Sequence, residues 1–405
     1  MPLRSLFVDF NSYFASVEQH LRPELRGLPV AVVPVLTDST CCIAASYEAK
    51  KYGIKTGTGA GEARKLCPGL RVVEARPELY VEMHHRLIAV VEDCIHVEQV
   101  LSIDEMACEL TGRLQEKEAA LALARKIKRE LARQIGPVMT CSIGIAPNPF
   151  LAKTASDMQK PDGLVVIREE ELPDCLHKLE LRDFCGIGAN MERRLHEKGI
   201  YTVRELCALD RRRLQDAWGS VEGGRMYDLL RGRLVPERPV NQRSISHSHV
   251  LPPEERNDSD AYAVSNRLLQ KAAVRLRHMD YLAGGMAVSL KYPQDRRWDE
   301  ELHFQETSDT LEFVRALEQL WQSRPEMSGG PMAVGVVLFR LVHEGNYTPS
   351  LFIQSDLKKR ALNSAMDALN EKFGRNTVYF GGAHQALHSA PMRIAFNRIP
   401  DTNVE

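Results

Sequence analysis

Residues 4–10 set Leu6, Val8 and Phe10 in alternation with Phe7 and Asp9, the two-residue period of a β-strand. An acid on so apolar a strand sits at the strand's end or is functional. From 11 to 20 the period lengthens to that of a helix, with Phe14, Val17 and Leu21 on one face and Ser12 placed to cap it. A mixed, glycine-containing stretch follows to about residue 75. Residues 97–110 read as two strand pieces meeting near Asp104-Glu105. The segment 115–135 is an amphipathic helix with Ala120, Leu123, Ile127 and Leu131 on its apolar face. Residues 138–146 return to strand periodicity, with Met139, Cys141, Ile143 and Ile145 facing one way. This order predicts an α+β sheet layer with helices on one side.

From 170 to about 233 the pattern is nearly all helical, with short loops. Residues 234–245 are Pro-rich and polar, the clearest linker in the chain. Beyond it, helical segments (260–279, 308–323) alternate with strand-like ones (284–292, 331–342), a second α+β module. From 346 onward a tail carries a helical piece (355–373) and the aromatic run Thr377-Val378-Tyr379-Phe380.

At 405 residues the chain is long enough for two to four domains. The formal net charge of −1 lacks the basic excess of most nucleic-acid binders, so any DNA surface must come from local charge distribution. No apolar run approaches the roughly 20 residues that a membrane span needs. The N-terminal segment reads as free of a signal peptide. Nine cysteines without a C-x-x-C pair argue against a zinc ribbon and for reduced thiols, so a cytoplasmic location is expected.

Three carboxylates stand out: Asp9 on the first strand, and the adjacent Asp104 and Glu105. Magnesium takes oxygen ligands, usually one or two carboxylates with substrate phosphates. Two such ions can align an attacking hydroxyl with a leaving group. An Asp-Glu pair at a strand bend beside an Asp-bearing strand meets that geometry, although spacing alone equally fits solvated hairpin acids. Phe14 by itself reads as a core aromatic, and the Gly186-x-Gly188 pair as a plain turn between helices.

The surrounding residues widen the picture. The blocks FVDFNSYFASVEQ, SYEAKKYGIKTG, LSIDEMACEL and SIGIAPNPFLAKTASDMQKPDG occur in this order, followed by CGIG at 185–188. Together they resemble the Y-family (DinB/UmuC-type) translesion DNA polymerases, strongly over about 4–240 and more loosely beyond. The resemblance implies an α+β multidomain right hand. The palm takes 1–12 and 76–165, the fingers 13–75, and a thumb with a helix-hairpin-helix 166–233. A linker at 234–241 leads to a little finger at 242–345 and a C-terminal tail at 346–405. Asp9, Asp104 and Glu105 match the family's catalytic metal ligands for two Mg²⁺ ions, with the Phe10 carbonyl as a backbone ligand. Phe14 matches the steric-gate aromatic that leaves no room for a 2′-hydroxyl. Tyr47, Lys50 and Lys160 match contacts to the incoming dNTP. Gly186 and Gly188, with Arg243, Ser244 and Ser246 at the start of the little finger, match phosphate contacts to primer–template DNA.

The sequence departs from the family in two places. The fingers motif usually ends in Arg, but here it ends in Lys50, which keeps the charge and loses the bidentate fork. The hydroxyl residue usual three positions before the Tyr is Ala44. The tail resembles that of UmuC-type members, in which a Gln-led peptide binds the sliding clamp. Here Leu351-Phe352 remains without the Gln, so a clamp contact and packing on its own domain are equal readings. A monomer acting on primed DNA is expected, with no membrane partner. An inactive DNA-binding scaffold with the same fold is the alternative, opposed by the retention of all three acids. A nucleotidyl cyclase would leave the helix-hairpin-helix and little finger without a role.

Overall fold

A computed structural model describes residues 2–38, 40–236, 242–348 and 356–389. The described chain forms two compact units, the first ending at residue 236 and the second beginning at residue 242 among the described residues. Among the described residues no helix is long and apolar enough to cross a membrane.

The first unit opens with β1 (Ser5–Phe10) and α1 (Tyr13–Leu21). Ser12 holds the position before the helix in a left-handed conformation (φ 49°), and its side chain makes no capping bond, contrary to the expectation for it. Next come β2 (Val30–Val33), β3 (Ala44–Ala45), α2 (Tyr47–Lys50), α3 (Ala60–Leu66) and β4 (Arg71–Glu74). These strands form a small sheet of order β3-β2-β4. The two-residue period of β2 splits its side chains between two cores. Val30 and Val32 join the core under β1, while Ala31 and Val33 pack with Ala49, Ile54 and Ala63 of the small sheet's own cluster.

After α4 (Pro77–Glu92) come β5 (Gln99–Val100), β6 (Glu105–Glu109), α5 (Lys117–Gln134), β7 (Cys141–Ala146), α6 (Pro149–Met158) and β8 (Leu164–Val166). They complete a five-stranded sheet of order β5-β6-β1-β7-β8. The apolar face foreseen for α5 is buried as expected, with Ala120, Leu123, Ile127 and Leu131 in the core. The expectation of helices on one side is overturned. One face carries α1, α4 and α5 against Leu6, Val8 and Phe10. The other carries α6, with Leu151, Ala152 and Ala155 packed around Phe7. Hydrophobic periodicity cannot reveal this second layer, because the permissive residue is a glycine. A Cβ on Gly144 of β7 would lie 1.9 Å from the Ala152 carbonyl oxygen. Gly144→Ala therefore forces α6 off the sheet. We expect a loss of about 3 kcal/mol or more in denaturant unfolding, read as a lower midpoint at unchanged slope.

Four helices close the first unit: α7 (Ala189–Glu197), α8 (Val203–Ala208), α9 (Arg211–Trp218) and α10 (Glu222–Leu229). They share a core with α6 through Leu195, Leu206 and Leu214. The segment read as a helix-hairpin-helix enters α7 from a single 3-10 turn (Leu181–Asp183) rather than a full first helix.

The second unit builds a four-stranded sheet from β9 (Ser244–Val250), β10 (Tyr281–Lys291), β11 (Arg297–Thr307) and β12 (Ala333–His343), in the order β11-β10-β12-β9. Helices α11 (Asp258–His278) and α12 (Thr310–Gln322) share its apolar core. The stretch beyond 346 is no appendage where it is described. Helix α13 (Asp356–Phe373) is tied to α11 by a bidentate Arg277–Asp367 pair at 2.6 and 2.8 Å. Gln270 exchanges two 3.1 Å bonds with the Phe380 backbone, and Ala386 enters the core.

Candidate active site

The acids meet because two strands run antiparallel. Asp9 lies directly opposite Glu105 across the β1–β6 pairing, and the Phe10 amide donates to the Asp104 carbonyl at 2.9 Å. Asp9 is only 6% exposed. Burial, with the nearby charge of Asp104 adding to it, pushes its carboxyl up to about 7 against the pull of Lys160. Asp104 is also raised, by burial first and by Glu105, although the Ser102 hydroxyl donates to its Oδ1 at 2.6 Å.

Helix α6 brings the counter-charges to the same end of the sheet. Asn148 caps it, its Oδ1 accepting from the Leu151 amide at 2.8 Å, and Pro149 starts its first turn. Lys153 and Asp157, one turn apart, point the same way. Lys153 pairs with Glu105 while its ammonium stands 5.1 Å from the centre of the Phe7 ring. Just past the helix, Lys160 bridges Asp9 at 2.7 Å and Asp157 at 2.8 Å. Burial opposes the Lys160 charge, yet Asp9 and Asp157 together outweigh it and hold the ammonium well above its usual range.

The loop that carries Lys160 is fixed by Asn11, 2% exposed, whose Oδ1 accepts from the Asp162 amide at 2.8 Å and whose Nδ2 donates to Ser142 Oγ at 3.0 Å. Lys128 clamps the loop from behind through the Asp162 carbonyl at 2.7 Å and carboxylate at 2.6 Å. Sequence reasoning passed over Lys153, Asp157 and Asn11. Their signal was the four-residue spacing within the fourth block and the polar position two residues after Asp9.

Across the cavity, the Phe14 ring stacks on Tyr80 with centroids 4.7 Å apart and planes at 21°. Tyr80 donates to Glu18 at 2.7 Å, and Arg76 grips that buried carboxylate through two bonds of 3.0 and 2.6 Å. The small sheet supplies Tyr47 and Lys50 on α2, which Ser46 caps by accepting from the Ala49 amide at 3.3 Å. The Lys50 ammonium lies 4.3 Å from the Tyr47 ring centre. Its pKa is lowered by burial and then by the like charge of Lys160. Both lysines line the same cavity.

One cavity is thus lined by Asp9, Phe10, Phe14, Tyr47, Lys50, Asp104, Glu105 and Lys160, with Ala44 and Lys153. The donor set of three carboxylates and a carbonyl is hard oxygen, which suits magnesium rather than a softer metal. Buried carboxylates whose proton affinity is raised also gain from a nearby cation. Among the described residues no group of three or more acids, histidines or cysteines stands close enough together to hold a metal ion, Asp9, Asp104 and Glu105 included.

The other residues singled out from sequence lie elsewhere. Gly186 (φ 89°) and Gly188 line an exposed concavity at the start of α7, open enough that a Cβ on either would touch nothing. Ser244 and Ser246 are exposed on β9, alternating with buried Ile245, and Arg243 is exposed just before the strand. Leu351 and Phe352 lie outside the described residues.

Comparison with known proteins extends the likeness over most of the chain. The impB/mucB/samB family model matches residues 8–157, and that of the family's C-terminal domain matches 242–351. The DNA polymerase IV of Moorella thermoacetica is 34% identical over 385 residues, covering 92% of this chain and 94% of its own. That of Pelotomaculum thermopropionicum is 30% identical over 383 residues, covering 92% and 93%. Among solved structures, a Y-family DNA polymerase chimera of Dbh and Dpo4 aligns with a TM-score of 0.70 at 26% identity, over 84% of this chain and 99% of that one. The insertion ternary complex of Dbh DNA polymerase aligns with the same coverage at a TM-score of 0.55 and 25% identity. With relatives this similar over nearly its full length, the chain belongs to the DinB-type Y-family of DNA polymerases.

Proposed function

We propose that this DNA-directed DNA polymerase adds dNTPs to a primer 3′ end by two-metal nucleotidyl transfer and serves translesion synthesis. The observation that carries the reading is the single cavity in which acids from β1 and β6 face lysines from α2 and the Lys160 loop, with an aromatic ring along one side. Asp9, Asp104, Glu105 and the Phe10 carbonyl would hold a pair of Mg²⁺ ions, which when bound supply charge neutralisation and alignment of attack. Tyr47, Lys50 and Lys160 receive the triphosphate, where negative charge builds as the α–β bond breaks. Lys160 can leave Asp9 for a phosphate oxygen without losing Asp157, so its charge stays balanced throughout. Phe14 lies under the sugar.

The sheet bearing the acids serves as palm, the β3-β2-β4 sheet as fingers, α7–α10 as thumb and the second unit as little finger. Backbone amides at Gly186 and Gly188, with Arg243, Ser244 and Ser246, contact DNA phosphates without reading sequence. The enzyme works as a monomer in the cytoplasm, and a clamp contact through Leu351-Phe352 belongs to the same reading.

Primer extension tests it, with purified protein, Mg²⁺ and dNTPs on primed templates that are intact or carry an abasic site. Extension past the lesion, abolished by chelation and restored by Mg²⁺, is the expected result. Tight binding to primed DNA without any extension would leave only a DNA-binding scaffold. The Lys50 departure gives a finer test. Restoring the fork with Lys50→Arg should lower the KM for dNTP by about three- to tenfold. An unchanged KM would place Lys50 outside the triphosphate site.

A further inference from the structure

The carboxylate of Asp104 is aimed by its own backbone, and one peptide plane of that backbone is gripped at both ends. The Ile103 carbonyl and the Asp104 amide belong to the same rigid unit. At the amide end, Ser102 Oγ accepts from the Asp104 N–H at 3.4 Å. At the carbonyl end, the His84 imidazole donates through Nδ1 to the Ile103 oxygen at 2.7 Å. His84 reaches it from α4, one turn after Tyr80.

His84 and Ile103 are each only 1% exposed. A carbonyl oxygen only accepts, so the ring proton resides on Nδ1 and Nε2 is a bare acceptor. Burial lowers the ring's pKa to about 4, with His85 adding to the shift against the bond to Ile103, so the imidazole is neutral at pH 7. Among the described residues Nε2 has no hydrogen-bond partner. Filling space here would ask only for an aliphatic side chain, as Leu87 and Val91 provide on the same helix. What the imidazole adds is a donor aimed at Ile103.

We propose that His84 is a positioning residue for nucleotide incorporation, holding the peptide plane that enters Asp104 and so setting where that carboxylate stands. The proposal rests on Asp104 being a catalytic acid, as the polymerase reading has it. His84 does not itself line the cavity, so it acts through Asp104 and not on substrate. Without its bond the plane can turn about the dihedrals on either side, and a misplacement of about 1 Å at a reacting centre costs about a hundredfold in rate.

Single-nucleotide incorporation on primed DNA, measured beside thermal melting, tests this with three variants. His84→Asn places an amide N–H where Nδ1 stands. His84→Gln carries the same group one carbon further, where Nε2 stands, and His84→Leu removes it while filling the space. The Leu and Gln variants should lose about tenfold or more in rate, Asn should stay within about threefold of wild type, and affinity for primed DNA should hold in all. The shorter Asn leaves a void and should melt below the Leu variant. Activity would then follow the donor while stability follows packing, an order that a merely structural histidine cannot produce. A wild-type rate in His84→Leu, or rates that fall in step with melting temperature, overturns the proposal. The ring-nitrogen NMR spectrum of the folded protein should show Nδ1 protonated and Nε2 bare, and the opposite tautomer overturns it as well. Where His84→Leu fails to fold, the Asn and Gln variants and this spectrum decide. A wild type that binds primed DNA and incorporates nothing refutes the polymerase reading itself, and the proposal falls with it.

Discussion

Asp104→Ala should lower the rate of nucleotide incorporation by about a hundredfold or more while leaving affinity for primed DNA nearly unchanged. The split follows from where the residue sits. Its carboxylate lines the cavity with Asp9 and Glu105, while the proposed DNA contacts at Gly186, Gly188 and β9 are carried by other elements. Stability supplies an independent reading with the opposite sign. Burial and Glu105 raise the Asp104 pKa in the folded state, so ionisation at neutral pH works against folding. Stability present below the unfolded pKa is lost as pH rises through the folded one. Asp104→Asn, which keeps the shape and removes that loss, should therefore melt no lower than wild type at pH 8 in metal-free buffer. Equal loss of incorporation, DNA binding and stability would mark Asp104 as a structural acid.

Phe14→Ala should raise the ratio of ribonucleotide to deoxynucleotide incorporation by about a hundredfold. The ring can act as a barrier because it cannot step aside. It stacks on Tyr80, which is held by Glu18, and Glu18 is 0% exposed and gripped by Arg76. A clash excludes only when yielding costs more than the clash, and this buried aromatic and ionic stack makes yielding expensive. The truncation also leaves a cavity in the core, worth about 3–5 kcal/mol, so the ratio must be measured below the variant's melting range. An unmoved ratio in folded protein would remove Phe14 from the sugar's path.

The sequence spoke clearly where one local period sufficed. The apolar alternation of 4–10 marked β1, and the spacing of Ala120, Leu123, Ile127 and Leu131 marked α5. The three acids were legible because their blocks surround them in order. Lys153 and Asp157 were not, since a Lys and an Asp one turn apart read equally as a solvated helix face. They become part of the site only because Gly144 lets α6 lie directly on the strands, a tertiary fact with no periodicity. Strand β11 was missed because its exposed edge face is polar and breaks the apolar run used to find β10 and β12. The docking of α13 was invisible for another reason. It rests on polar pairs such as Arg277–Asp367, ninety residues apart, which no local pattern encodes.

The divided loyalty of β2 has a consequence for how nucleotides are chosen. With Val30 and Val32 in one core and Ala31 and Val33 in the other, the small sheet is riveted to its neighbour along the strand's whole length. Swinging it as a jaw would tear open two close-packed interiors at once. On this packing the small sheet is expected to stay seated as nucleotides enter and leave, so that each one meets a wall already in place.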